Sequence, residues 1–154
     1  MRAYILALCL ASFTPAGVRA QLAESRILTL AAVKNAIAAA ESEAKANGWK
    51  VSIAVVDAAG DLLGFLRMDG ASLMSIQISQ GKARTAARTK RPTRDYADRL
   101  TQGNIATLAL DVMPLEGGVP IIVDGVAVGG IGVSGATSQQ DAQCATKGVA
   151  AIKP

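Results

Sequence analysis

Two short β-rich runs, each folded back on itself at a turn signal, stand on either side of a helical middle. The first extends from Val51 to Val56, turns through Asp57-Ala58-Ala59-Gly60-Asp61 and returns from Leu62 to Arg67. The second covers Val119 to Val123 and Val126 to Val133, joined by Asp124-Gly125. An Asp-Gly pair between two apolar runs is the strongest short-range hairpin signal, because both central positions of the tight turn need positive φ. Val51–Val56 is β-branched and almost wholly apolar, which predicts a strand buried on both faces. The chain between and around the hairpins has helical spacing. Leu30, Val33, Ile37, Ala40 and Ala44 recur every three or four residues behind Thr29, a plausible N-cap, and Asn47-Gly48 supply the stop.

Ser72 caps a second expected helix that runs to about Thr89, whose Ile76, Ala83, Ala86 and Ala87 suit close packing. Arg91-Pro92-Thr93 ends it and opens a short third helix with Thr93 as N-cap. Asn104–Val112 is compatible with helix or extended chain, and residues 114–118 form a loop. Ser138-Gln-Gln-Asp141 resembles a capping box opening the last helix. The resulting order, α-β-β-α-α-β-β-α, predicts an α+β fold with an antiparallel central sheet covered by helices.

Residues 1–20 have the pattern of an export signal. Arg2 gives a positive start, Ile5 to Phe13 form an apolar stretch too short to span a bilayer, and Val18-Arg19-Ala20 offers small residues at the cleavage positions. The expected mature chain, residues 21–154, is one domain in a periplasmic or secreted setting, with no membrane attachment after signal removal. Loss of Arg2 and Arg19 lowers the net charge from +4 to +2, so the basic balance does not argue for nucleic acid. Of the two cysteines only Cys144 remains, so no internal disulfide forms and the core alone must hold the domain. Cys144 reads as a small buried apolar residue on the last helix, or else as a reactive thiol.

The chain has no histidine. Ser/His/Asp and Cys/His triads and Cys–His zinc sites are therefore excluded, and no other catalytic constellation stands out.

Taken together, Leu28-Thr29-Leu30, Ala54-Val55-Val56-Asp57-Ala58-Ala59-Gly60, Phe65-Leu66-Arg67-Met68-Asp69-Gly70-Ala71, Lys82-Ala83-x-Thr85-Ala86, Arg91-Pro92-Thr93, Gly117-Gly118-Val119-Pro120 and Gly129 to Gly135, followed by Gln140-Asp141, occur in one order over residues 28–152. This set resembles the GlcG/HbpS-like family, also called the haem-degrading domain family. The resemblance implies a profilin-like α+β fold, assembly as a homo-oligomer from dimer to octamer, and an extracellular or periplasmic haem-binding or haem-degrading role. Other members of the family stand beside glycolate or diol-utilisation genes, which keeps open an accessory protein or enzyme for a small organic acid or aldehyde. A ligand-free interaction module is the third reading.

Arg67 and Asp69 close the first hairpin. Arg67 suits a bidentate pair with a ligand carboxylate, such as a haem propionate, or an internal pair with Asp69 or Asp57 that pins the turn. Lys82 and Thr85 lie in a basic helical stretch where Arg84, Arg88 and Arg91 share a face; that face is either anion-binding or simply solvated. Gly117, Gly118 and Pro120, and likewise Gly132-Val133-Ser134-Gly135, allow backbone amides to approach an anion, or else form tight turns and bulges. A haem would need an axial ligand from Met68, Met74, Met113, Tyr96, Cys144, a lysine, Thr85 or Thr93. The resemblance implies a threonine, and Thr93 is then the candidate for the iron. Nucleic acid is disfavoured further by the scarcity of aromatic residues to stack bases.

Overall fold

The computed structural model describes residues 25–153, and the expected export signal at residues 1–20 lies outside them. Helix α1 spans Leu30–Ala46, with the Thr29 hydroxyl accepting from the Ala32 N–H, and ends at Asn47 and Gly48, where φ is +71°. Strand β1 (Ser52–Asp57) and strand β2 (Leu62–Arg67) form the first hairpin. Its turn is closed by Asp57, whose Oδ1 accepts from the N–H groups of Ala59, Gly60 and Asp61 at 2.9 Å each. Helices α2 (Met74–Thr89) and α3 (Arg94–Thr101) follow, then a 3-10 helix over Ile105–Ala109. That short helix resolves the apolar stretch 104–112, whose composition was compatible with helix or extended chain. Strands β3 (Gly118–Val123) and β4 (Val126–Ser134) form the second hairpin, with Asp124 and Gly125 both at positive φ as its turn requires. Helix α4 spans Ser138–Ala150.

The four strands make one antiparallel sheet in the order β2-β1-β4-β3. Joining the two hairpins through β1 and β4 puts β1 in the interior, and all its residues but Asp57 are buried. Alternation along β1 then divides two layers. Ile53 and Val55 join the larger cluster with Val33, Ala36, Ala40, Cys144 and Ala145 beneath α1 and α4, while Ala54 and Val56 pack with Ala83 and Ala87 beneath α2. The result is α+β with helices on both faces of the sheet, in the order read from the sequence.

The glycines of β4 set the closeness of α2. A Cβ on Gly132 would stand 2.1 Å from the Ser79 carbonyl oxygen, and one on Gly130 would stand 2.5 Å from that of Ala83. Backbone meets backbone here, so Gly130 and Gly132 are what let α2 lie directly on β4.

Candidate functional site

The residues singled out in the sequence divide between two places. The first is a buried knot where α2, α4, β4 and the loop before β3 converge. Lys82 sits one turn beyond Ser79 on the face that α2 turns to the sheet, and its side chain is 2% exposed. Its Nζ donates to Asp141 Oδ2 at 2.8 Å and to the Val133 carbonyl at 2.9 Å. Asp141 Oδ1 in turn accepts from the Ala136 N–H at 3.0 Å. Burial pulls the Lys82 ammonium below the ordinary lysine range, offset in part by the carboxylate of Asp141. Burial likewise pushes the Asp141 carboxyl up, offset by Lys82 and by the backbone donors of Ala136 and Gly135. Each shift has the sign of desolvation outweighing attraction.

Gly117 lies against this pair at φ +125°, and a Cβ there would come within 2.7 Å of Lys82 Nζ. Gly118 is equally confined, facing the Lys82 carbonyl and Thr93 Cγ2. Thr93 is fully buried, and its Oγ1 accepts from the Gly118 N–H at 2.9 Å. Pro120 is buried in β3 opposite Gly130. Thr85 is buried too, with its hydroxyl accepting from the Met113 N–H at 2.8 Å. Lys82, Thr93, Gly117 and Gly118 thus do come together, but as a closed internal lock. Among the described residues, every buried side-chain nitrogen or oxygen has a hydrogen-bond partner.

Three capping expectations are corrected here. Helix α2 begins at Met74 with Leu73, not Ser72, at its N-cap and no side-chain cap, the Ser72 hydroxyl accepting from the Ser75 N–H at 3.2 Å one position earlier. Thr93 stands at the N-cap of α3 but makes no side-chain cap, because its hydroxyl is taken by Gly118. The capping box of α4 is formed by Thr137 and Gln140, one residue earlier than expected, which frees Asp141 to point inward at Lys82. The sequence signal for this role lay in the stripe Asp141, Cys144, Ala145, Gly148, which is the buried face of α4. A carboxylate on such a face needs a partner, but nothing local names it.

The second place is open. Arg67 is exposed, and its Nε and Nη2 donate to the Ala71 carbonyl at 3.1 and 2.7 Å, pinning the loop into α2. Among the described residues no ion pair joins it to Asp69 or Asp57. Arg67 and Asp69 line a groove of about 290 Å³ with Glu41, Lys45, Lys50, Leu66 and Met68. Lys45 is paired with Glu41 at 2.6 Å, which leaves Arg67 and Lys50 as its cations without a salt-bridge partner among the described residues. A wider groove, about 520 Å³, separates residues 26–29 from the β3–β4 turn. It was not foreseen, since an extended segment before α1 carries no periodicity.

Most of the basic stretch is engaged with the protein. Arg88 holds the Ala59 carbonyl, Arg91 and Arg94 face Asp95 and Asp98, and Arg99 stacks over Tyr96 at 5.5 Å. As a haem-iron ligand, Thr93 does not fit this arrangement, because its hydroxyl is both buried and bonded. Among the described residues no group of three or more His, Cys, Asp or Glu is placed to hold a metal ion, and no helix is long and apolar enough to cross a membrane.

A family model described as haem degrading protein, HbpS-like, matches residues 28–150. Protein GlcG of Escherichia coli (strain K12) is 46% identical over 99 residues, spanning 64% of this chain and 74% of GlcG. Among solved structures, a double mutant of Streptomyces reticuli HbpS superposes with a TM-score of 0.80 at 35% identity, covering 100% of this chain and 99% of that one. The structure of a PduOC:Heme complex follows at 0.76 and 29% identity, covering 83% and 96%. With both hairpins, the Lys82 helix and the Gly117 loop inside the matched residues, the chain belongs to the HbpS-like family.

Proposed function

We propose that this protein is an exported haem-binding protein. The observation that carries the reading is the near-complete likeness to HbpS, together with a related domain whose crystal structure holds haem. The open groove beside β2 supports it from this chain's own residues. Arg67 offers a planar guanidinium that is already oriented by Ala71, and Lys50 adds a second cation, a combination suited to the carboxylates of a tetrapyrrole. Haem, when bound, brings its own oxygen and electron chemistry. The residues described here bind and orient; without a histidine in the chain they offer no ordinary proton shuttle.

Export rests on the pattern of residues 1–20, and assembly as a homo-oligomer is supported by the exposed Ile105, Leu108 and Leu110 around the 3-10 helix. Titration of the mature protein with hemin tests the central claim. A saturable, shifted Soret band is expected. A featureless, non-saturating spectrum would refute it, and thermal stabilisation by glycolate-type acids in its place would move the reading to a small organic acid. Mass spectrometry of the periplasmic fraction, expected to show Gln21 as the first residue, tests export.

A further inference from the structure

The fold leaves one arginine of the basic stretch unengaged. Arg88, Arg91, Arg94 and Arg99 each hold a carbonyl, a carboxylate or a ring, whereas Arg84 has no such partner among the described residues. Its stem is held in place all the same. A Cβ added at Gly60 would stand 2.8 Å from Arg84 Cγ, so the methylenes lie on the Asp57 turn. The guanidinium is a rigid fork of donors that matches a carboxylate or a phosphate.

Arg84 borders a cavity of about 140 Å³ between α2 and the segment before β3. Gly81 and Thr85 line it from the helix, and Asp111, Val112 and Met113 line it from the other side. Thr85 is 3% exposed; its oxygen accepts from the Met113 N–H at 2.8 Å, and its own proton has no acceptor among the described residues. A buried hydroxyl with a spare proton at a cavity wall is complementary to an acceptor placed there. Gly81 makes the room. Glycine inside a helix is unfavourable relative to alanine, and here no backbone demands it, since a Cβ would meet only the Met113 side chain, with Cε at 2.8 Å.

Two donors converging on one cavity suit an oxyanion, and the other walls select its kind. Asp111 adds a negative charge at the rim, turned to Arg88 at 3.5 Å, which disfavours a dianion. Val112 and Met113 supply carbon for an apolar tail. A cavity of roughly 150 Å³ takes a guest the size of benzene, so the space here matches an acid of three or four carbons. We infer that this cavity binds a short monocarboxylate such as propionate, its carboxylate on Arg84 and the Thr85 hydroxyl and its carbon end against Val112 and Met113. The Arg67 groove is walled by Glu41 and Lys45 of α1, so the two sites are separate and this one does not depend on haem.

Amide spectra of the ¹⁵N-labelled protein, titrated with sodium propionate against sodium chloride at equal ionic strength, test the site. The Met113 amide should shift saturably with propionate only, with a dissociation constant in the millimolar range. Arg84→Gln, at an exposed position, should weaken binding about tenfold or more. Gly81→Ala, which fills the cavity without removing a donor, should weaken binding while keeping or raising the melting temperature. A hemin titration of Arg84→Gln should match wild type, so its result bears on this site alone. No saturable shift with propionate, or one that Arg84→Gln leaves unchanged, would overturn the site; equal binding of inorganic phosphate would overturn the choice of a monocarboxylate.

Discussion

Replacing Asp141 by Asn removes one charge from the buried pair while keeping the shape of the side chain and an oxygen for the Ala136 N–H. What remains is the Lys82 ammonium at 2% exposure, with the Val133 carbonyl as its only strong partner among the described residues. Breaking a buried ion pair from one side costs roughly 3–5 kcal/mol, because the charge left behind is desolvated and uncompensated. Against a total stability of about 5–15 kcal/mol for a domain of this class, that is a large share. The melting temperature should fall by on the order of 10 °C.

Lys82→Met alone leaves the opposite charge and should cost a similar amount, whereas the double variant buries no charge. Urea unfolding of the four proteins should therefore show non-additivity of about 2 kcal/mol or more, the double variant being less damaged than the sum of the singles. Additive effects, or a loss below about 1 kcal/mol for Asp141→Asn, would refute the view that the pair locks α2 to α4. The pH dependence has a definite sign. With its native pKa raised, Asp141 keeps its proton where the unfolded chain has already lost it. Its contribution is complete below the ordinary value of 3.8 and is lost as pH rises through the raised native value. Lys82, lowered from 10.5, contributes in the opposite sense, its part growing as pH rises through the window between its native value and 10.5. In Asp141→Asn the acid-side slope should vanish.

Gly132→Ala would force a Cβ to within 2.1 Å of the Ser79 carbonyl oxygen, where only backbone is available to move, so a loss of about 3 kcal/mol or more is expected by urea unfolding. Gly125→Ala meets nothing within 4 Å and should cost only the left-handed backbone strain at φ +79°, about 1–2 kcal/mol; equal losses at the two sites would contradict the close approach of α2. Burial pushes the Cys144 thiol up to about 11 from 9.0, so the native state keeps its proton while the unfolded chain releases it. The thiol's contribution is whole below pH 9 and should fade by about 2 kcal/mol towards pH 11 relative to Cys144→Ala, read from paired unfolding curves. Arg67→Ala should weaken hemin binding about tenfold, through loss of a charge-assisted contact; an unchanged dissociation constant would remove Arg67 from the site.

The amino-acid sequence by itself determined the two hairpins, the helix order and the α+β class. Asp124-Gly125, the Asp57 turn, the Thr29 cap and the stripe of α1 each act over a few residues, where turn chemistry and periodicity are decisive. Arg67 and Asp69 end the first hairpin, and both line the groove beside β2, since a hairpin end stays near the surface. The fate of Lys82 and Thr93 was decided only by tertiary structure. Lys82 meets a carboxylate 59 positions away and Thr93 an amide 25 positions away, and both contacts exist because β1 and β4 pair to bring the two hairpins together. The one-residue shift of the α4 capping box has the same origin. Thr137 and Ser138 are both competent caps, and the choice between them follows from the inward demand of Asp141 for the buried ammonium. Local chemistry narrows each residue to a few roles; desolvation, which depends on everything packed around it, selects one.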